Sequence, residues 1–82
     1  MKLIRSKIDN KQGVSEFDFQ IQVGCIVEER TFIIDFNPQR EIIYAGVKLN
    51  DKVTHKIDLQ SKEYADVLDF CKKEIIKCNS KN

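Results

Sequence analysis

Three cysteines, one histidine and 13 carboxylates are the side chains with which this 82-residue sequence could do chemistry. Their spacing argues against most of it. Cys71 and Cys78 fall seven positions apart on a predicted helix, about 10.5 Å of axial rise, too far for one metal ion or one disulfide to bridge. Cys25 reads as a small apolar residue on the buried face of a strand. His55 is placed on that same face beside Val47, with no Asp or Asn positioned to orient it as the base for a thiol. Asp35 and Asp58 point outward from strands that are not neighbours, so a carboxylate pair has no geometry to rest on. Gly13, Gly24 and Gly46 are scattered, which rules out a glycine-rich phosphate loop. The inventory predicts a protein that is not an enzyme: no catalytic residue, no metal ligand, no cofactor and no small-molecule substrate emerge from it.

The elements that would carry these residues follow from periodicity. From Ile4 to Leu59 apolar and polar residues mostly alternate, the period of strands with one buried face. Phe17, Phe19, Ile21 and Val23 share one face of the second strand, with Glu16, Asp18, Gln20 and Gln22 on the other. A turn at Glu28-Glu29 would set Cys25 opposite Phe32, Val23 opposite Ile34 and Ile21 opposite Phe36. Asn37-Pro38-Gln39-Arg40 is a strong turn, with Asn first and Pro fixing φ second. Pairing across it places Ile34 opposite Ile43 and Ile33 opposite Tyr44, with Asp35 opposite Ile42. At Asn50-Asp51-Lys52, pairing Leu49 with Val53 aligns Val47 with His55 and Ala45 with Ile57. The first strand, near Leu3 to Ile8, contributes Ile4 and Ile8 at the sheet edge.

From Ser61 onward the period becomes helical. Ser61 is placed to cap the helix, Glu63 and Asp66 lie early and Lys72, Lys73 and Lys77 late, as the helix dipole favours. Tyr64, Val67, Leu68, Cys71, Ile75 and Cys78 form one apolar stripe that needs a sheet to cover. The predicted fold is α+β: a five-stranded antiparallel meander with one C-terminal helix on one face, a single domain over 1–78 with a frayed polar tail at 79–82.

Composition bounds the class. Hydrophobic residues at 41% and charged residues at 33% give a globular balance without a membrane span, and a net charge of +1 leaves no overall field for a polyanion. An odd number of cysteines and the lack of an apolar stretch behind Lys2, Arg5 and Lys7 predict a reduced, cytoplasmic chain starting near Met1. The charge is uneven. Lys2, Arg5, Lys7 and Lys11 stand against Asp9 alone, whereas Glu16 to Asp35 holds five acids against Arg30.

Ile57-Asp58-Leu59 followed by Tyr64, Val67 and Leu68 resembles the strand-to-helix junction of the single-stranded-DNA-binding coactivator family, positive cofactor four and its bacterial relatives. The resemblance covers Ile57 to Ile75, with Tyr64 where that family has a large aromatic residue. It implies a curved antiparallel sheet that holds single strands and a C-terminal helix that mediates dimerisation. This chain departs from the pattern in reading as five strands rather than four and in lacking basic residues over Glu16 to Gln22.

One helix covers one sheet face, so the other face becomes the candidate site. Tyr44, Ile33 and Ile42 are expected to form an apolar patch there, bordered by Lys48 and Lys56, the make-up of a contact site. On the helix, Phe70 and Ile76 lie off the apolar stripe and are the candidate self-association surface. The functional expectation is a small interaction domain for a protein partner or for itself as a homodimer, in a regulatory or accessory role. The alternative is a single-stranded nucleic-acid-binding module using the exposed sheet face.

Overall fold

The computed structural model describes residues 2–49 and 53–79. Five strands, β1 (Lys2–Asp9), β2 (Val14–Val23), β3 (Ile26–Phe36), β4 (Ile42–Leu49) and β5 (Val53–Lys56), precede one helix, α1 (Ala65–Asn79). The strands form a single open antiparallel sheet in chain order, so each pairs with its predecessor, and the α+β meander expected from the sequence is the architecture observed. The predicted loop at Asn50-Asp51-Lys52 and the tail from Ser80 onward lie outside the described residues.

Two registers differ from expectation. The β2–β3 turn falls at Gly24-Cys25, four residues earlier than Glu28-Glu29, and brings Val23 opposite Ile26 and Phe17 opposite Phe32. Gly24 has φ 63°, the left-handed value that a type II′ hairpin turn requires at its first central position and that glycine alone adopts cheaply. A turn at two glutamates offers no such residue. Cys25 therefore sits exposed in the turn and not on the buried face. Because the displacement of each pairing is even, the faces survive it: Phe17, Phe19, Phe32, Ile34 and Phe36 are all buried.

The β3–β4 pairing carries a bulge between Asp35 and Phe36, where Ile43 is the extra residue. Ile34 thus faces Ala45 rather than Ile43, Ile33 faces Gly46 rather than Tyr44, and Asp35 faces Tyr44 rather than Ile42. The bulge also reverses two side chains: Ile42 turns in against the core, and Ile43 turns out, 60% exposed. A second bulge, between Leu3 and Arg5, does the same at the sheet edge, so Leu3 packs on the core in the place expected of Ile4. The β4–β5 pairing matches expectation, with Leu49 opposite Val53 and Val47 opposite His55. His55 is nonetheless exposed, because β5 is the short edge strand.

The core lies between the inner sheet face and α1. Val67, Leu68, Cys71 and Ile75 of the helix are buried with the sheet phenylalanines and Ile57. Phe19 is the hub: its ring stands edge-on to Phe32 and to Phe70, each at 5.6 Å between centroids, while Phe32 meets Tyr64 at 6.0 Å. Full burial of one such ring contributes about 1.5–3 kcal/mol, and edge-to-face pairing adds about 0.5–1.5. Ser15, the buried polar residue among the described core positions, donates its hydroxyl to the Ile34 carbonyl at 2.9 Å. Ser61 Oγ accepts from the Glu63 amide at 3.2 Å, capping the turn that leads into α1.

Candidate interaction surfaces

The expected outer-face patch is assembled only in part. Ile33, Tyr44, Lys48 and Lys56 share that face, since Ile33 and Lys56 both lie opposite Gly46 and Lys48 lies opposite Thr31. Ile42 is not with them, because the Ile43 bulge turns it inward. Tyr44 does not stand out from the sheet either. Its ring lies along its own strand across Gly46, with the hydroxyl 2.8 Å from where a Gly46 Cβ would be. Beside it, Tyr44, Lys56, Asp58, Leu59 and the bulged Ile43 line an open hollow of about 440 Å³ at the β4 edge.

The centre of the outer face is acidic and internally paired. Asp18 accepts from Thr31 Oγ1 at 2.7 Å and from Arg5 Nε at 2.7 Å, tying β1, β2 and β3 together. Arg5 also reaches Glu29 at 3.6 Å. The Thr31 hydrogen bond, helped by Arg5, holds the Asp18 carboxyl below its ordinary value against the opposing effect of burial.

Of the two helix residues expected at an interface, Phe70 turns its ring to the sheet and packs on Phe19 while staying partly exposed, so it belongs to the margin of the core. The ring is long enough to fold over the sheet from a position at the side of the stripe. Ile76 stays out, 47% exposed. Cys71 is fully buried and its thiol is pushed up to about 12, first by burial and then by Glu74, so it is an inert core residue. Among the described residues no group of three or more His, Cys, Asp or Glu could hold a metal ion, and no helix is long and apolar enough to cross a membrane.

A further uncovered apolar feature lies on the β2–β3 hairpin, away from the residues expected to form the site. An α-helix of 15 residues spans about 22 Å, whereas the 11 residues of β3 span about 36 Å. α1 cannot cover the whole β2–β3 hairpin. Nor do the neighbouring strands flank all of it: β1 pairing stops at Gln20, and β4 pairing begins at Thr31. The segment from Ile21 to Arg30 projects as a two-stranded arm. At its tip Val23, Ile26 and Val27 are 48%, 63% and 56% exposed. Glu28 and Glu29 follow immediately, with Arg30 Nη2 held at 3.3 Å by Glu28. The signal for this arm was present in Gly24, which marks the turn, and placing the turn there makes both strands too long for the helix.

Set against protein-family models, curated proteins and solved structures, the chain matches none of them.

Proposed function

We propose that this chain is a small interaction domain that works by docking rather than by chemistry, in a regulatory or accessory role. The β2–β3 arm carries the reading: three exposed branched aliphatic residues gathered on a projecting hairpin, on a sheet whose helix is too short to cover them. Exposed apolar groups gathered in this way mark contact surfaces more often than plain exterior. A protein partner is favoured over a single-stranded nucleic acid by the charge pattern. Asp18 stands in the middle of the outer face and Glu28 and Glu29 on the arm, and these acids engage Arg5 and Arg30, the nearby cations that a phosphate backbone would need.

The reading is tested by capture from native cytosol on the immobilised 82-residue chain, with nuclease treatment and a salt series as controls. Capture that survives nuclease and is lost on Ile26→Ser/Val27→Ser is the expected result. Capture abolished by nuclease, falling steeply with salt and indifferent to the arm substitutions, would replace it with the nucleic-acid reading.

A further inference from the structure

We infer that the partner of the arm is a second copy of this chain, docked antiparallel so that the arm of each protomer lies on helix α1 of the other. This rests on the reading of the arm as the interaction surface, and it names the occupant. The arm presents Val23 and Ile26 on the same face as Glu28, an apolar tip with one carboxylate beside it, held within the chain by a contact to Arg30 at 3.3 Å. The outer side of α1 presents the counterpart. Ile76 is exposed one turn beyond Lys72 and Lys73, both exposed, since residues three and four apart share a helix face. Lys77 adjoins it. Apolar tip meets apolar Ile76 while Glu28 meets the lysines, and Lys73 is held among the described residues by an exposed contact to Asp69 at 3.1 Å.

The two patches cannot meet within one molecule. Asn10 Nδ2 lies 3.5 Å from Cys78 Sγ, which fixes the C-terminal end of α1 at the β1–β2 turn. That turn and the arm tip are at opposite ends of β2, and the molecule is 40 Å along its longest axis. Two copies aligned antiparallel place each arm beside the other's lysines, and the two contacts are related by a two-fold axis. Such an arrangement closes as a dimer and does not propagate. Each contact is small, so the dimer belongs to the weak class below the standard interface size.

Sedimentation velocity on the full chain from about 10 μM to about 1 mM covers the range in which weak interfaces associate. A monomer–dimer equilibrium is expected for wild type. Glu28→Lys and Lys73→Glu, each folded by circular dichroism, should each weaken it at least about tenfold, and an equimolar mixture of the two variants should regain dimer, because in the mixed dimer one contact is charge-reversed and the other is as in wild type, so both are complementary. A photo-crosslinker on the exposed Cys25 should join the arm to residues 69–77 of the other copy. A monomer at every concentration, variants that dimerise as wild type does, a mixture that stays monomeric, or crosslinks confined to the arms would each overturn the inference. A monomeric wild type that still loses cytosolic capture on Ile26→Ser/Val27→Ser would overturn the second copy and leave the arm as a site for another protein.

Discussion

The phenol of Tyr44 reaches across Gly46, two residues along the same strand, and occupies the space a side chain would need. A β-carbon at Gly46 would stand 2.8 Å from the Tyr44 hydroxyl and 2.5 Å from Thr54 Cγ2. The glycine thus seats an aromatic ring on a face that no helix covers. Gly46→Ala should destabilise by about 1–3 kcal/mol through overpacking, measured by urea unfolding. Adding Thr54→Ser removes the nearer clash and should recover part of that loss. A neutral Gly46→Ala would mean that the ring moves aside freely.

Asp18 makes stability depend on acid. Its carboxyl is held low in the folded chain, first by Thr31 and then by Arg5, so the unfolded state takes up the proton more readily. The stabilisation is present above the unfolded carboxyl value of about 3.9 and is lost as pH falls through the lower folded value. Asp18→Asn should cost about 1 kcal/mol at neutral pH and flatten the stability profile below pH of about 4, read by urea titration at a series of pH values. An unchanged profile in the variant would remove Asp18 from the account.

Thiol reactivity should separate the cysteines. Cys25 is exposed in the hairpin turn, whereas Cys71 is fully buried with its thiol raised to about 12. With iodoacetamide at mildly alkaline pH, Cys25 is expected to react first and Cys71 only at the rate of global unfolding, followed by peptide mass spectrometry. Cys71→Ser should destabilise by about 1–3 kcal/mol, and Cys71→Ala by less. Fast alkylation of Cys71 in native buffer would show the helix to open locally.

The arm and the core should respond differently to truncation. Ile26→Ser removes an exposed side chain and should change stability by no more than about 0.5 kcal/mol, while Phe19→Ala empties the ring cluster and should cost about 3–5 kcal/mol. A large loss at Ile26 would place the arm in the fold of the monomer and take away its freedom to dock.

The alternation of the sequence carried the faces of the sheet but not its registers. Phe17 and Phe32 are buried whichever turn joins their strands, because moving the turn by an even number of residues changes partners and not faces. Only turn chemistry separates those registers, and there Gly24 outweighs Glu28-Glu29. The bulges at Ile4 and Ile43 are invisible to a period-two pattern, since each inserts one residue and reverses the faces beyond it. This is why Ile42 was expected outside and is found inside. The β4–β5 register was legible to the residue, because pairing Leu49 with Val53 sets Ala45 beside Ile57, whereas a shift of one residue would set Ala45 against Lys56. The arm was missed because its residues were expected inside: with the turn placed at Glu28-Glu29, Val23 paired with Ile34 and Cys25 with Phe32 on the covered face.

The strict chain order of the sheet has a kinetic consequence. Each strand closes on the one just made, through connections as short as Gly24-Cys25, so the loop entropy at each step is small. Hairpins of this kind form in about 1–10 μs. The encounter that spans the chain is the docking of α1, whose contact at Asn10 and Cys78 joins residues 68 apart. The sheet is therefore expected to zip outward from the β2–β3 hairpin, with the helix seating last. In stopped-flow measurements Ile75→Val should then speed unfolding and leave the folding rate nearly unchanged, whereas Gly24→Ala, strained at φ 63°, should slow folding itself.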